Sequence, residues 1–373
     1  MLRFEATYGT DRTGTPCKAL TTLKHRETTE PMPEITTETL TFHLRHTFRI
    51  SRGAADTVQT VLVRLRSDGL TGLGEAAPIR RYGEDVETTA HVLADAAKLL
   101  PHDLFDLQSL GENLERSWGH RYQAARAALE MAVLDWVGKK LDIPLYRLWG
   151  LSADRTPKTS FTIGIDEPEV ILKKLEEATP YPILKVKLGS KDDYKIFQLI
   201  REHTDKPIRV DANEGWTREE AVEKINWLAS QNVEFVEQPL PASDTEGMWW
   251  LKERVRLPLF ADESVHTSAD IPKMLGAFDG INIKLMKCGG LREALAMIHT
   301  ARSCGLKVML GCMVESSVGI SAAAQLAPLV DYADLDSHLL IVDDPFVGME
   351  LDEDGRIVLP PQPGIGAVPR TDA

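Results

Sequence analysis

The sequence predicts an α/β protein, a (β/α)8-type barrel joined to an α+β capping domain, and three observations carry that expectation. Eight short apolar stretches of strand character begin near residues 158, 183, 207, 233, 257, 280, 307 and 332, spaced 23 to 27 residues apart. The intervals between them read as helices, Arg218–Ser230 and Arg292–Cys304 most plainly. No such strand is followed by the glycine-rich phosphate loop of an open doubly wound sheet, which favours the barrel.

Taken in order, residues 1–34 are rich in Thr and mixed charge, and Pro31 and Pro33 close the stretch. It lacks the apolar core of a secretion signal, and Glu5, Asp11, Glu27 and Glu30 depart from the acid-poor pattern of a transit peptide. It reads as a disordered tail, with Met32 a candidate start. Residues 35–150 place strands before helices, the signature of a separate α+β unit. Glu38–Arg45 alternates, Thr57–Leu65 is β-rich, and Asp68-Gly69 marks a hairpin. Ala124–Leu141 then carries apolar residues at helical spacing and stops before Pro144. Residues 151–345 hold the barrel, and 346–373 read as a segment returning to the capping domain.

A composition of 43% hydrophobic and 27% charged residues excludes wholesale disorder. A formal charge of −13 argues against general binding to nucleic acid or acidic membrane, and no apolar run is long enough to span a bilayer. Four cysteines without a C-x-x-C pair suit a reducing cytoplasm.

Barrel active sites form at the C-terminal ends of the strands. There this sequence places Lys185 and Lys187, Asp211, Glu237, Asp262, Lys284, and Asp334 with Asp336. Side-chain alternation turns Lys185 and Lys187 inward and gives Asp334 and Asp336 a common face. Single charges at one depth in consecutive units are costly to desolvate unless paired or bound to metal. A solvated surface is the alternative reading for any one of them alone. Asp211, Glu237 and Asp262, one per strand, can converge on a point. Three carboxylates without His or Cys suit Mg2+, with Mn2+ as a substitute. Flanking lysines, their pKa lowered by a cation and by each other, could take a proton from one face of a carbon and return it to the other through an enediolate.

These residues sit in motifs that resemble the enolase superfamily, muconate-lactonizing subgroup, and most of all its dipeptide epimerases: LKVKLG (184–189), VDANEGW (210–216), VEQPLPASD (236–244), ADESVHT (261–267), INIKLMKCGGLREAL (281–295), GCMVESSVGISAA (311–323) and ADLDS (333–337). FRISRG (48–53) and GEAAPIRRYGE (74–84) fit as well, so the resemblance runs from about residue 36 to the end. It implies metal ligands Asp211, Glu237 and Asp262, an acid/base pair Lys187 and Lys284, and Lys185 on the substrate carboxylate. Lys287 is read as a loop residue. Asp334 and Asp336 would hold a substrate α-ammonium, or else cap a turn. Thr162 matches a substrate-binding threonine and equally an ordinary strand residue. Loops around His46–Asp56 and Ala76–Gly83 would close over the barrel, bringing Arg52 to a substrate side-chain carboxylate. Arg49, Arg80 and Arg81 are read as further positive charge there, or as surface arginines.

The implied activity is epimerisation of a dipeptide at its C-terminal α-carbon, with L-Ala-L-Glu and L-Ala-D-Glu as the pair. The resemblance alone also implies murein peptide metabolism as the setting and leaves a homo-oligomer open. Alternatives on the same scaffold are N-succinyl amino acid racemisation, o-succinylbenzoate synthesis and cycloisomerisation. A Schiff-base aldolase and a non-catalytic binder are more remote.

Overall fold

The computed structural model describes residues 33–51 and 53–371, together with the backbone of two short strands, Gly9–Thr10 and Pro16–Cys17, which pair antiparallel in a unit of their own. Apart from those strands, the tail reading and the Met32 start fall outside the described residues, as does Arg52.

The capping region opens with a three-stranded antiparallel sheet: β1 (Glu34–Ile50), β2 (Gly53–Ser67) and β3 (Leu70–Ala76). Asp68 and Gly69 join β2 to β3 with φ of 51° and 75°, the left-handed pair that matches strand twist in a two-residue hairpin. The first two strands run well past the predicted Glu38–Arg45 and Thr57–Leu65. Beyond the half-buried sheet they continue as a two-stranded ribbon, with a register shift between His43 and Phe48. Ladder hydrogen bonds persist there where apolar alternation does not.

Three helices follow: α1 (Val86–Ala94), α2 (Leu107–Trp118) and α3 (Gln123–Leu141). Asp85 and Asp106 cap the first two by accepting from the Thr88 and Ser109 amides at 2.9 and 3.0 Å. Helix α3 is buried almost all round from Ala124 to Gly138, and it lies directly against β3. A Cβ added to Gly72 or Gly74 would stand 2.0 or 1.9 Å from the carbonyl oxygens of Ala132 and Ala128, so only glycine permits this approach.

The second layer is an eight-stranded parallel sheet in sequential order: β4 (Phe161–Ile163), β5 (Leu184–Lys187), β6 (Ile208–Asp211), β7 (Val233–Glu237), β8 (Leu259–Ala261), β9 (Gly280–Ile283), β10 (Lys307–Gly311) and β11 (Tyr332–Asp334). A parallel bridge between Thr159 and Ala333, with the Ser160 amide donating to the Ala333 carbonyl at 3.1 Å, brings the first strand to the last. The predicted barrel is the fold. Its strands are shorter than the apolar stretches suggested, because regular pairing stops where the chain turns inward to the mouth.

Helices α4 (Pro168–Glu177), α5 (Asp193–His203), α6 (Arg218–Leu228) and α7 (Thr245–Lys252) alternate with β4 to β8. After β9 the chain makes a single turn, α8 (Leu285–Cys288), before α9 (Leu291–Ser303); α10 (Ser317–Ala324) follows β10. The barrel floor is filled by Arg209, whose guanidinium lies 5.6 and 5.0 Å from the ring centres of Phe235 and Tyr332 and donates to the Ala333 carbonyl. Downstream, the Val342 amide bonds the His43 carbonyl and the Ile365 amide bonds the Asp135 carboxylate in α3. Among the described residues no helix is long and apolar enough to cross a membrane.

Candidate active site

Side-chain alternation along each short barrel strand decides what reaches the mouth. In β5 Leu184 and Val186 pack outward in the core while Lys185 and Lys187 turn inward, 2% and 7% exposed. Asp211, Glu237 and Asp262 end or follow β6, β7 and β8, and all are buried. Their carboxylate oxygens lie within 4.8 Å of one another.

The lysines are threaded between these acids. Lys185 Nζ lies 2.7 Å from Asp334 Oδ2, 2.8 Å from Glu237 Oε2 and 3.1 Å from Asp211 Oδ2, so one ammonium joins the triad to the acidic end. Lys187 Nζ donates to Asp211 Oδ2 at 2.7 Å and Lys284 Nζ to Asp262 Oδ2 at 2.8 Å. Strands β5 and β9, which carry Lys187 and lead into Lys284, stand four places apart in an eight-stranded cycle. The two lysines therefore approach from opposite walls.

These ion pairs set the charge state of the buried groups. Burial works to lower the Lys284 ammonium's pKa, but the Asp262 and Glu237 charges outweigh it and the lysine is held above its ordinary value. Lys185 is raised in the same way, by Asp334, Glu237 and Asp211. In both cases an ammonium sits against buried carboxylates, whose charges favour its protonated form. Among the acids, burial and the Asp211 charge push Glu237 up to about 7, while the lysines hold Asp211 and Asp262 well below the usual range despite their burial.

The donor set fits a hard divalent cation. It is all oxygen and buried, and although Lys185 stands close by, Glu237 Oε2 makes no hydrogen bond. Glu237 Oε1 is fixed by the Asn282 side-chain amide at 2.6 Å, and Asp211 Oδ1 by the Asn213 amide at 2.9 Å.

A cavity of about 500 Å³ opens over this floor. Lys185, Lys187, Asp262, Lys284, Asp334, Asp336 and Thr162 all line it. Thr162 bonds Asp336 through its side chain and through its backbone amide, which donates to Oδ2 at 2.6 Å, while Ser160 Oγ donates to Asp334 Oδ1 at 2.8 Å. Burial and the neighbouring Asp334 charge push Asp336 up to about 7, whereas Lys185 and Lys187 hold Asp334 down against its burial.

The capping region supplies the roof, chiefly apolar: Phe48, Ile50, Ala54, Val58, Ile79 and Tyr82. Arg49 and Arg80 do not line the cavity. Arg81 does, but it pairs with Glu214.

Lys287 is not the loop residue that the sequence suggested. It lies in α8, 2% exposed, and its ammonium donates to Asp262 Oδ1 and the Asp262 carbonyl at 2.5 Å, with the Val265 and Asn282 carbonyls at 3.2 and 3.3 Å. A one-turn helix directly after a strand leaves too short an apolar pattern to read. Asn282 and Gln238 were also missed. Asn282 shares its strand face with Lys284, two residues on, which was the available signal. Gln238 accepts the Asp262 and Ser264 amides at 3.0 and 3.1 Å and holds the ligand loops of β7 and β8 together.

Comparison with known proteins follows this geometry. Residues 34–150 match the family described as mandelate racemase / muconate lactonizing enzyme, N-terminal domain, and residues 171–373 match the enolase C-terminal domain-like family. An L-Ala-D/L-Glu epimerase of Bacteroides thetaiotaomicron is 43% identical over 87% of this chain and 85% of its own length. A dipeptide epimerase from Enterococcus faecalis, solved with Mg and L-Leu-L-Tyr, superposes with a TM-score of 0.84 at 32% identity, covering 89% of this chain and 98% of that one. An N-succinyl Arg/Lys racemase from Bacillus cereus has a TM-score of 0.85 at 28% identity, covering 92% and 96%. With both regions matched and a capped barrel that superposes over most of its length, the chain belongs to the enolase superfamily, in its mandelate racemase / muconate lactonizing enzyme family.

Proposed function

We propose that this protein is a Mg2+-dependent dipeptide epimerase that inverts the α-carbon of the C-terminal residue, interconverting L-Ala-L-Glu and L-Ala-D-Glu. One observation carries the reading. One cavity is lined by Lys187 and Lys284 from opposite walls, by Asp262 of the carboxylate triad, and by the acidic pair Asp334 and Asp336. The names of the relatives support the same chemistry. Mn2+ as a substitute metal, a cytoplasmic setting, a homo-oligomer and a part in recycling murein peptides belong to the same reading.

In this reading Asp211, Glu237 and Asp262 hold Mg2+, which supplies charge to offset that developing on the substrate carboxylate. Lys185 binds the same carboxylate by a charge-assisted hydrogen bond. Lys187 and Lys284 face opposite sides of the α-carbon: one removes the proton and the other delivers one to the far face. Asp334 and Asp336, across Lys185 from the triad, take the α-ammonium, with the Thr162 amide orienting Asp336. Lactone- and succinylbenzoate-forming reactions act on substrates without that ammonium and would leave the two acids without a task.

The apolar roof favours a second reading of the substrate side chain, an apolar residue in place of Glu. Both are tested by incubation in D2O with Mg2+ and pooled L-Ala-L-X dipeptides, read by mass spectrometry. A gain of one mass unit, abolished by EDTA, supports epimerase chemistry. Glu labelling first supports the acidic substrate, and apolar X labelling first supports the alternative. No label in any dipeptide, with label entering N-succinyl amino acids, overturns the reading.

A pH effect follows from Asp336. Protonation of its carboxyl removes half of the ammonium site, so KM should rise as pH falls below about 7. It should rise again above about 8 as the substrate amine loses its proton. In Asp336→Asn the acid limb should vanish while the alkaline limb remains. An acid limb unchanged in that variant would remove Asp336 from ammonium binding.

A further inference from the structure

Among the contacts of the capping region with the barrel mouth, one set falls on a backbone turn beside a ligand carboxylate. Asn213 and Glu214 follow Asp211 with φ of 44° and 66°, left-handed values that non-glycine residues adopt at a cost. The Asn213 amide fixes Asp211 Oδ1 at 2.9 Å, and the Glu214 amide is held by the Gln238 carbonyl at 2.8 Å. From the cap, Ser51 Oγ donates to the Asn213 carbonyl at 3.1 Å. Arg81 forms an ion pair with Glu214, whose other oxygen accepts the Ala242 amide at 2.8 Å. The next residue, Tyr82, lines the cavity beside Lys284 and meets the His266 ring edge-on at 5.2 Å. One short turn, Arg80–Tyr82, thus crosses the mouth from the β6 side to the β8 side.

We propose that Arg81 and Glu214 form a latch that holds the cap closed by gripping the turn that orients Asp211, and that Arg81 is a positioning residue rather than a receptor for the substrate side chain. The Glu214 side chain is 9% exposed and that of Arg81 37%, so the pair is shielded on the acid's side and open on the cation's. Such a pair can form and break without unburying the whole turn. The Tyr82 and Gly83 amides bond back to Ile79 and Arg80, so their protection reports whether the turn is held.

The proposal rests on the epimerase reading for its kinetic consequences alone, because hydrogen exchange needs no substrate. In Arg81→Met and Glu214→Gln, mass-spectrometric exchange of the peptide covering 76–85 should be about tenfold faster than in the parent, with the barrel strands unchanged. Exchange unchanged in both variants would overturn the latch whatever the enzyme's substrate. With a pooled L-Ala-L-X set, a latch requires both variants to raise KM by a similar factor for acidic and apolar X, with kcat within about threefold of the parent. Loss confined to X = Glu in Arg81→Met, with Glu214→Gln unaffected, would make Arg81 a side-chain receptor and overturn the proposal.

Discussion

Lys284→Ala and Lys187→Ala should each lose epimerisation by about 10³-fold or more, at the upper end of what a positioned acid or base contributes. The size follows from the geometry. Each lysine alone serves one face of the α-carbon, and the opposite wall supplies no substitute across an eight-stranded barrel. The two losses should also differ in kind. Each single variant keeps one lysine, so it should still exchange the α-proton of one diastereomer with D2O, and the two variants should favour opposite diastereomers. NMR of L-Ala-L-Glu and L-Ala-D-Glu incubated separately in D2O separates these outcomes. Normal epimerisation in both variants would sink the two-base mechanism, and loss of exchange with both diastereomers in one variant would mean that its lysine does more than serve one face.

The second large effect concerns the carboxylates. Glu237→Gln should reduce turnover by about 10³-fold, equivalent to about 4 kcal/mol of transition-state stabilisation. It should also show a physical signature independent of catalysis. In the parent, three acids packed within 4.8 Å repel, and a cation relieves them. Mg2+ at a hundredfold above its Kd should then stabilise the fold by about 2.7 kcal/mol, seen as a raised Tm that EDTA reverses. In Glu237→Gln that rise should shrink sharply. Since burial and Asp211 already push Glu237 up to about 7, the variant itself should fold at least as well as the parent without metal. A parent whose Tm and activity ignore both Mg2+ and EDTA would show that the triad has another task.

The barrel was legible because its evidence repeats: eight strands at one period, six of them ending on an inward charge at a similar depth, leave few other architectures. The triad's convergence was legible for the same reason, one acid per consecutive strand. What escaped depended on contacts between segments remote in sequence. Lys287 looked like a loop lysine until a one-turn helix drove it under Asp262. Arg81 looked like spare positive charge until Glu214, more than a hundred residues later, was seen to take it. Arg209 gave no signal at all, because an arginine filling a barrel floor between two aromatic rings reads in sequence as an ordinary charged strand residue.

The division of labour around the cavity bears on how such a protein changes over descent. Charged groups come from the barrel strands, while the roof comes from a ribbon tip and one short loop. That roof hangs from a sheet whose seat on α3 is fixed by two glycines too close to carbonyl oxygens to be replaced. Substitutions at the roof can therefore accumulate and alter which molecules are admitted while the charged groups of the strands keep their places, and the glycine seam keeps successive roofs at one height. Divergence in this lineage should be dense between residues 46 and 58, sparse at Gly72 and Gly74, and nearly silent at the strand ends.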